Sequence, residues 1–128
     1  MNLTTKTEYG LRALQYLRDK SDEGPVNISE ISNSLNLSKT YIEQIFRKLK
    51  NAGILKSTRG KDGGYQLAYS PDKIVLGYVI RILEGNINLV YKCEVENCVV
   101  ENCPSRDVFE KIDFAVANVI DKMTLDQL

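Results

Sequence analysis

The stretch LSKTYIEQIFRKLKNAGILKSTRGKDGGYQLA, residues 37–68, decides the fold of this 128-residue chain. Its first half predicts a helix that Ser38 caps and that runs to about Asn51, with Gly53 marking its end. The segment just before it, ISEISNSLN, follows Asn27 and predicts a short helix that begins at a capping box. The two helices have the spacing of a helix-turn-helix.

The second half of the stretch predicts a β-hairpin. Residues 54–57 and 65–68 form the two expected strands, and the turn between them contains RGKDGG. Arg59 and Lys61 lie at the tip among glycines, which let the backbone approach a ligand as closely as a narrow minor groove requires. Two interpretations follow: a wing that contacts DNA, or a plain hairpin whose charged tip serves solubility.

The helix over residues 38–51 has two distinct faces. Apolar residues recur at i, i+3, i+4 and i+7, which predicts a stripe that faces the core. This stripe consists of Ile42, Ile45, Phe46 and Leu49. The outward positions carry hydroxyl, amide and cationic groups, which can read base edges and hold phosphates, although an ordinary solvated face also fits. These positions are Lys39, Thr40, Glu43, Gln44, Arg47 and Lys48.

Charge is distributed unevenly along the chain, although the formal net charge is zero. Residues 1–70 hold 11 Lys and Arg against 7 Asp and Glu, whereas residues 71–128 hold 6 against 10. Within residues 39–61, seven basic residues accompany one acidic residue, Glu43, for a local charge of +6. A basic segment of this kind is expected of a surface that contacts phosphates.

The composition, 43% hydrophobic and 27% charged, is that of an ordinary globular protein. No apolar run approaches the roughly 20 residues that span a bilayer, and the N-terminus lacks a signal core. We therefore expect a cytoplasmic protein without a membrane partner. The chain has no histidine, no phosphate-binding glycine motif and no recognisable carboxylate pair. An enzyme with a small-molecule substrate is not expected, and a redox-catalytic cysteine is the one alternative.

The sequence predicts an N-terminal helix over residues 5–20. The C-terminal half predicts two further helices. The first opens at SPDK, residues 70–73, and ends at Glu84. The second starts near Ser105 and reaches about Met123 with a wide apolar stripe. The stripe consists of Val108, Ile112, Ala115, Val119 and Met123, flanked by Phe109, Val116 and Ile120. We expect this helix to form a homodimer that reads a two-fold-related operator, with packing inside one chain as the alternative.

The predicted architecture is therefore mostly α with a small β-hairpin wing. Residues 1–70 form the expected winged helix-turn-helix DNA-binding domain. Residues 71–128 carry a helix, a cysteine loop over residues 93–103 and a long dimerisation helix.

The segment CEVENCVVENCPSR, residues 93–106, holds all three cysteines of the chain. A step of five residues turns a helix by roughly 500°, and a strand would alternate the thiols between its faces, so neither structure gathers them. A loop can wrap a ligand, and thiolates select zinc or an iron-sulfur cluster. No CxxC knuckle occurs, which favours the cluster over zinc. Three unrelated thiols remain the alternative.

The stretch over residues 37–68, the helix ending in IRILEG and the three-cysteine loop together resemble winged-helix transcription regulators of the IscR and NsrR family. The elements YIEQ, LKNAG, RG and GGY carry this resemblance, which covers nearly the whole chain. The resemblance implies a homodimer that binds a double-stranded DNA operator. It also implies an iron-sulfur cluster, with 2Fe-2S favoured and 4Fe-4S possible. The implied cluster ligands are Cys93, Cys98 and Cys103.

The resemblance also assigns roles at the DNA. Thr40, Glu43 and Gln44 would make or tune base contacts, and Arg59 would enter the minor groove. The complete predicted DNA-contacting set is Lys39, Thr40, Tyr41, Glu43, Gln44, Arg47, Arg59, Gly60 and Lys61.

At the position of the fourth cluster ligand, this sequence differs from some members of the family. Members similar to IscR have a histidine three residues after the last cysteine, where this chain has Arg106, which cannot ligate. In members similar to NsrR, the resemblance implies that a carboxylate in the first helix of the partner completes the site. The matching position is Glu8, which is the predicted fourth ligand, with Asp107 as the alternative and a merely exposed Glu8 as the simplest reading.

A second function keeps the fold and omits the cofactor. Cysteine-metabolism regulators related to this family act through a protein partner, and their loop lacks the three cysteines. The alternative prediction is therefore a regulator of the same fold that is controlled by a protein partner or by cysteine oxidation.

Overall fold

The structure, a computed structural model, describes residues 3–85 and 99–128. Within these ranges the chain forms five α-helices and a two-stranded antiparallel sheet. The helices are α1 (Thr5–Asp19), α2 (Ile28–Leu35), α3 (Lys39–Asn51), α4 (Leu76–Glu84) and α5 (Pro104–Ile120). The strands are β1 (Leu55–Thr58) and β2 (Gly64–Leu67). This confirms the predicted, mostly α fold with a hairpin wing.

The core forms where α1, α3 and α4 pack against one another. The largest fully buried side chains come from distant parts of the chain and include Leu14, Ile31, Phe46, Ile74 and Leu125. Full burial of such a side chain stabilises the fold by about 1.5–3 kcal/mol. Residues before and after position 70 share this core, and the predicted division of the chain at that position stays a prediction.

Local capping explains the helix-turn-helix. The Asn27 side chain accepts a hydrogen bond from the backbone N–H of Glu30 at 2.8 Å and so caps α2. The reciprocal half of the predicted capping box is not formed, because the Glu30 carboxylate accepts a hydrogen bond from the Tyr16 hydroxyl instead. Asn36 then takes the left-handed conformation, with φ 55°, and Ser38 caps α3 through the backbone N–H of Tyr41.

The wing is joined to the rest of the fold at its base. Strands β1 and β2 pair in register from Leu55 with Leu67 to Thr58 with Gly64. Tyr65 exchanges two backbone hydrogen bonds with Val26, at 2.8 and 3.0 Å, in an isolated antiparallel bridge. A Cβ atom on Gly64 would lie 2.3 Å from the Val26 carbonyl oxygen, so this position needs glycine.

The start of the fourth helix differs from the prediction. Residues Pro71–Lys73 form one 3-10 turn, and α4 begins only at Leu76 because Ile74 and Val75 are extended. Val75 pairs with Thr124 in an isolated bridge, and Leu76 donates its backbone N–H to the Met123 carbonyl at 2.8 Å. This pairing between distant segments outweighs the local helix signal.

Helix α5 ends at Ile120, before the predicted Met123, because Met123 and Thr124 pair with Leu76 and Val75 instead. A side-chain contact holds the same junction. The Arg81 guanidinium on α4 donates two hydrogen bonds to the Asp121 carboxylate just after α5, at 2.5 and 3.1 Å. These bonds hold the pKa of Asp121 below its ordinary value, although burial opposes the shift.

Among residues 3–85 and 99–128, no helix combines the length and apolarity needed to cross a membrane.

Candidate functional site

Helix α3 is oriented by the apolar side that it buries. The predicted stripe is in place: Ile42, Ile45, Phe46 and Leu49 are each at most 3% exposed. The Phe46 ring also packs edge-on against Tyr65 of β2, with centroids 5.0 Å apart. Because these contacts fix the roll of α3 about its axis, they determine which side chains point away from the protein.

The side chains that point outward match most of the predicted set. All of the following are exposed along α3: Lys39, Thr40, Glu43, Gln44, Arg47 and Lys48. Hydroxyl, amide and cationic groups therefore occupy one continuous exposed side of a helix, which is the arrangement that a recognition helix presents to a major groove.

Tyr41 is placed differently from the rest of that set. Its ring is half-buried and packs edge-on against Tyr9 of α1, with centroids 5.8 Å apart. The Tyr41 hydroxyl lies 3.4 Å from the Thr5 hydroxyl. The ring of Tyr41 thus joins α1 to α3, and its predicted contact with DNA stays a prediction.

The wing presents its predicted tip to solvent. Arg59, Gly60 and Lys61 are all exposed. Gly60 takes φ +112°, a backbone conformation that residues other than glycine rarely adopt. A compact turn with two cations at its tip is short enough to follow a narrow groove.

The basic residues of this region form no ion pair within the described part of the chain. Among the described residues, the ion pairs join Arg18 to Asp19, Lys20 to Glu23, Arg81 to Asp121 and Lys111 to Asp107. None of them involves a basic residue between positions 39 and 61. Cations without partners can contact phosphates without first breaking an ion pair. We call the outward side of α3 together with the wing tip the basic edge.

The predicted metal ligands are placed only in part. Cys93 and Cys98 lie outside the described residues. Cys103 is the N-cap residue of α5 and is half-buried, while Glu8 is exposed in the first turn of α1. Within residues 3–85 and 99–128, no three potential ligands lie together. The structure therefore does not assemble the predicted ligand set, which stays a prediction.

The two alternatives for the fourth ligand differ in their surroundings. Asp107 accepts a hydrogen bond from the Lys111 ammonium at 2.8 Å, and the pair lies within α5. The Glu8 side chain has no hydrogen bond or ion pair within the described part of the chain. Arg106 is exposed in the first turn of α5.

Helix α5 exposes most of its apolar stripe. The stripe residues Val108, Ile112 and Val119 are 52%, 40% and 59% exposed, and no residue of α5 is buried. Phe114, which the stripe does not include, is 75% exposed. A helix that packs so little against its own chain is expected to pack against another.

Sequence reasoning missed the contact between the N-terminus of α1 and the end of α4. The Glu84 carboxylate accepts hydrogen bonds from the backbone N–H of Thr4 at 2.8 Å, from its hydroxyl at 2.9 Å and from the Thr7 hydroxyl at 2.5 Å. The residues are separated by 77 to 80 positions. No local pattern in the sequence carries a signal for this contact.

Comparison with known proteins identifies the family of this chain. The model of the Rrf2 family, described as an iron-dependent transcriptional regulator, matches residues 3–128. The chain is 41% identical to the HTH-type transcriptional regulator CymR of Bacillus subtilis, over all of this chain and 89% of that protein. It is 34% identical to the HTH-type transcriptional regulator NsrR of Bacillus licheniformis, over all of this chain and 92% of that protein.

Solved structures agree. The structure of CymR, named the global cysteine regulator of B. subtilis, matches with a TM-score of 0.82 at 40% identity, over 98% of this chain and 94% of that one. The structure of T. potens IscR matches with a TM-score of 0.80 at 32% identity, over 98% of this chain and 84% of that one. Fold and relatives together define a winged helix-turn-helix transcription regulator. Within that class the chain belongs to the Rrf2 family, which confirms the predicted resemblance to IscR and NsrR.

Proposed function

We propose that this protein is a homodimeric, sequence-specific DNA-binding regulator, not an enzyme, whose operator binding is controlled by an iron-sulfur cluster. Cys93, Cys98 and Cys103 would hold the cluster. The observation that carries the DNA-binding part is the basic edge, where exposed cations that form no ion pair with any described residue flank the polar side of α3.

The two parts of the basic edge have different chemical capacities. Gln44 and Thr40 on α3 can exchange directional hydrogen bonds with base edges, so they would contribute sequence preference. Arg47 on α3 and Arg59 on the wing can contact phosphates or a narrow minor groove, so they would contribute affinity that falls with salt.

The dimer is supported by the exposed apolar residues of α5. Covering Val108, Ile112 and Val119 with the same helix of a second chain would remove three partly exposed apolar side chains from water. A two-fold-symmetric dimer that packs through this helix would present two copies of the basic edge. Two copies suit an operator with two half-sites.

The cluster is supported by the chemistry of its donor set. Three thiols within eleven residues supply the soft ligands that iron-sulfur clusters require. Glu8 of the partner subunit is the proposed fourth ligand, since the Glu8 side chain has no hydrogen bond or ion pair to any described residue, whereas Asp107 pairs with Lys111. When bound, the cluster would supply an oxidisable iron centre, suited to sensing iron-sulfur status, redox stress or nitric oxide.

A second candidate function is a regulator of the same fold without the cofactor. Its support is the 41% identity to CymR, whose structure is named that of a global cysteine regulator. In this case a protein partner or oxidation of Cys93, Cys98 or Cys103 would control DNA binding. Both candidates share the basic edge and differ only in what the cysteines hold.

Two measurements separate these possibilities. Protein purified without oxygen is first used to select duplexes from a random library, and we expect enrichment of a two-fold-symmetric sequence; failure to enrich any sequence would contradict both candidates. The affinity for that duplex is then compared for Cys98→Ser and for Val99→Ser, an exposed neighbour. Under cluster control, only Cys98→Ser abolishes the bound iron and the redox response. Parent binding that is the same under oxidising and reducing conditions favours the cofactor-free candidate with a protein partner.

A further inference from the structure

A shallow cleft separates the N-terminal turn of α1 from the outward side of α3. Its volume is about 40 Å³, and Ile45 and Leu83 form its apolar floor. The polar part of its lining consists of Lys6 from α1 and Tyr41, Gln44 and Lys48 from α3. Two lysines from different helices therefore line one cleft, directly beside the recognition side of α3.

Neither lysine forms an ion pair within the described part of the chain. Lys6 and Lys48 are both exposed. An anion that binds at this cleft would be attracted by both lysine side chains.

Glu84 does not serve as that anion. It accepts hydrogen bonds from Thr4 and Thr7, and although nearby Lys6 helps to lower its pKa, the two groups form no ion pair. The Thr4 N–H at the start of α1 is likewise occupied, because Glu84 accepts its hydrogen bond. The anion-binding capacity of this edge therefore belongs to the two lysine side chains.

We propose that Lys6 and Lys48 bind the phosphate backbone of DNA beside the groove that α3 enters, a contact that rests on the proposed DNA-binding function. The occupant follows from continuity and charge. Gln44 lines the same cleft and belongs to the predicted base-reading residues, so a duplex that Gln44 touches passes its backbone over the two ammonium groups. The N-terminal turn of α1 is then a third DNA-contacting element, after α3 and the wing.

The test is the salt dependence of affinity for the duplex that the parent protein selects from a random library. For Lys6→Gln and for Lys48→Gln, we expect the slope of log K against log salt to become shallower by about 0.9, the value for one phosphate contact, and affinity at 0.1 M salt to fall about eightfold. Lys20→Gln is the matched control. It removes the same charge from the opposite end of α1, about 21 Å from Lys6 by the helical rise, and should leave the slope unchanged.

Two outcomes would overturn the proposal. In the first, both lysine variants keep the parent slope while Arg59→Ala makes it shallower, so the protein binds DNA but not through this cleft. In the second, Lys20→Gln changes the slope as much as Lys6→Gln, so the effect is one of overall charge. If the parent protein selects no duplex at all, the proposed function fails as well, and that result is distinct from the other two. Lys6→Arg, which retains the charge, should restore most of the slope.

Discussion

The Glu84 carboxylate accepts a hydrogen bond from the backbone N–H of Thr4 at 2.8 Å, across 80 positions of the chain. Thr4 is the N-cap residue of α1, yet its own side chain does not cap that helix. Glu84 therefore acts as the cap of α1 from the end of α4. This contact joins the end of α4 to the helix that carries Lys6 and Glu8.

Replacing Glu84 by Gln should lower the free energy of unfolding by about 1–2 kcal/mol at neutral pH, because charge-assisted hydrogen bonds become neutral ones. The measurement is urea unfolding followed by circular dichroism. Glu110→Gln, an exposed position of α5, is the control and should have little effect. Equal destabilisation by both variants would show that the Glu84 contact adds nothing specific.

The same contact predicts a dependence on pH. Burial alone would raise the pKa of Glu84, but the hydrogen bonds from Thr7 and Thr4, aided by nearby Lys6, lower it below its ordinary value of 4.5. Since the folded pKa lies below the unfolded one, the stabilisation is present above about pH 4.5 and is lost as pH falls through the folded pKa. The difference in stability between the parent and Glu84→Gln should therefore shrink below that pH. A difference that grows on acidification would contradict the assignment.

The recognition side of α3 should determine sequence preference. Gln44→Ala should reduce discrimination at one base pair per half-site by about 1–3 kcal/mol, the cost of a lost bidentate contact. Fluorescence anisotropy with single-base variants of the selected duplex measures this. Gln15→Ala, an exposed amide on α1, is the matched control and should keep the parent preference. If Gln44→Ala also keeps it, Gln44 does not read a base.

The close approach at the base of the wing should make Gly64 far less replaceable than Gly53. Both have positive φ, but a Cβ atom would meet nothing within 4 Å at Gly53 and would lie 2.3 Å from the Val26 oxygen at Gly64. Gly53→Ala should cost about 1 kcal/mol for its backbone conformation alone, and Gly64→Ala at least about 2 kcal/mol. Thermal unfolding of the two variants checks this, and equal costs would contradict the predicted steric conflict.

The exposed stripe of α5 should hold the dimer. Val119→Glu should shift the protein towards monomer, because it places a carboxylate in an apolar interface. Sedimentation velocity reports the change. Asn118→Glu adds the same charge about 100° around the helix and should leave the dimer intact. A parent protein that is monomeric, or a dimer that Val119→Glu does not weaken, would contradict the assignment of this helix.

The parts of the fold that the sequence predicted well are those set by neighbouring residues. Ser38 as a cap, the apolar spacing from Ile42 to Leu49 and the glycines of the wing all act within a few positions, so periodicity and turn chemistry are enough to find them. The parts that it missed depend on distant partners. The pairing of Val75 with Thr124 makes α4 begin later than predicted. The hydrogen bond from Thr4 at the start of α1 to Glu84 has no signal in the neighbouring sequence.

The candidate site divides in the same way. The outward residues of α3 could be predicted, because burying one side of a helix fixes the other. The cleft that Lys6 and Lys48 share could not be predicted, because it depends on how α1 packs across α3. Cys103 and Glu8 were found by residue type and resemblance, which identify chemistry but not the distance between two groups.

The most direct test of the account is the affinity of anaerobically purified protein for its selected duplex, measured before and after the bound iron is removed. The account predicts a coloured protein that contains iron and sulfide, and a change in affinity of at least about fivefold on iron removal, the lower end of typical coupling between two sites. A colourless protein that cannot be reconstituted, or an affinity that iron removal leaves unchanged, would contradict cluster control of DNA binding.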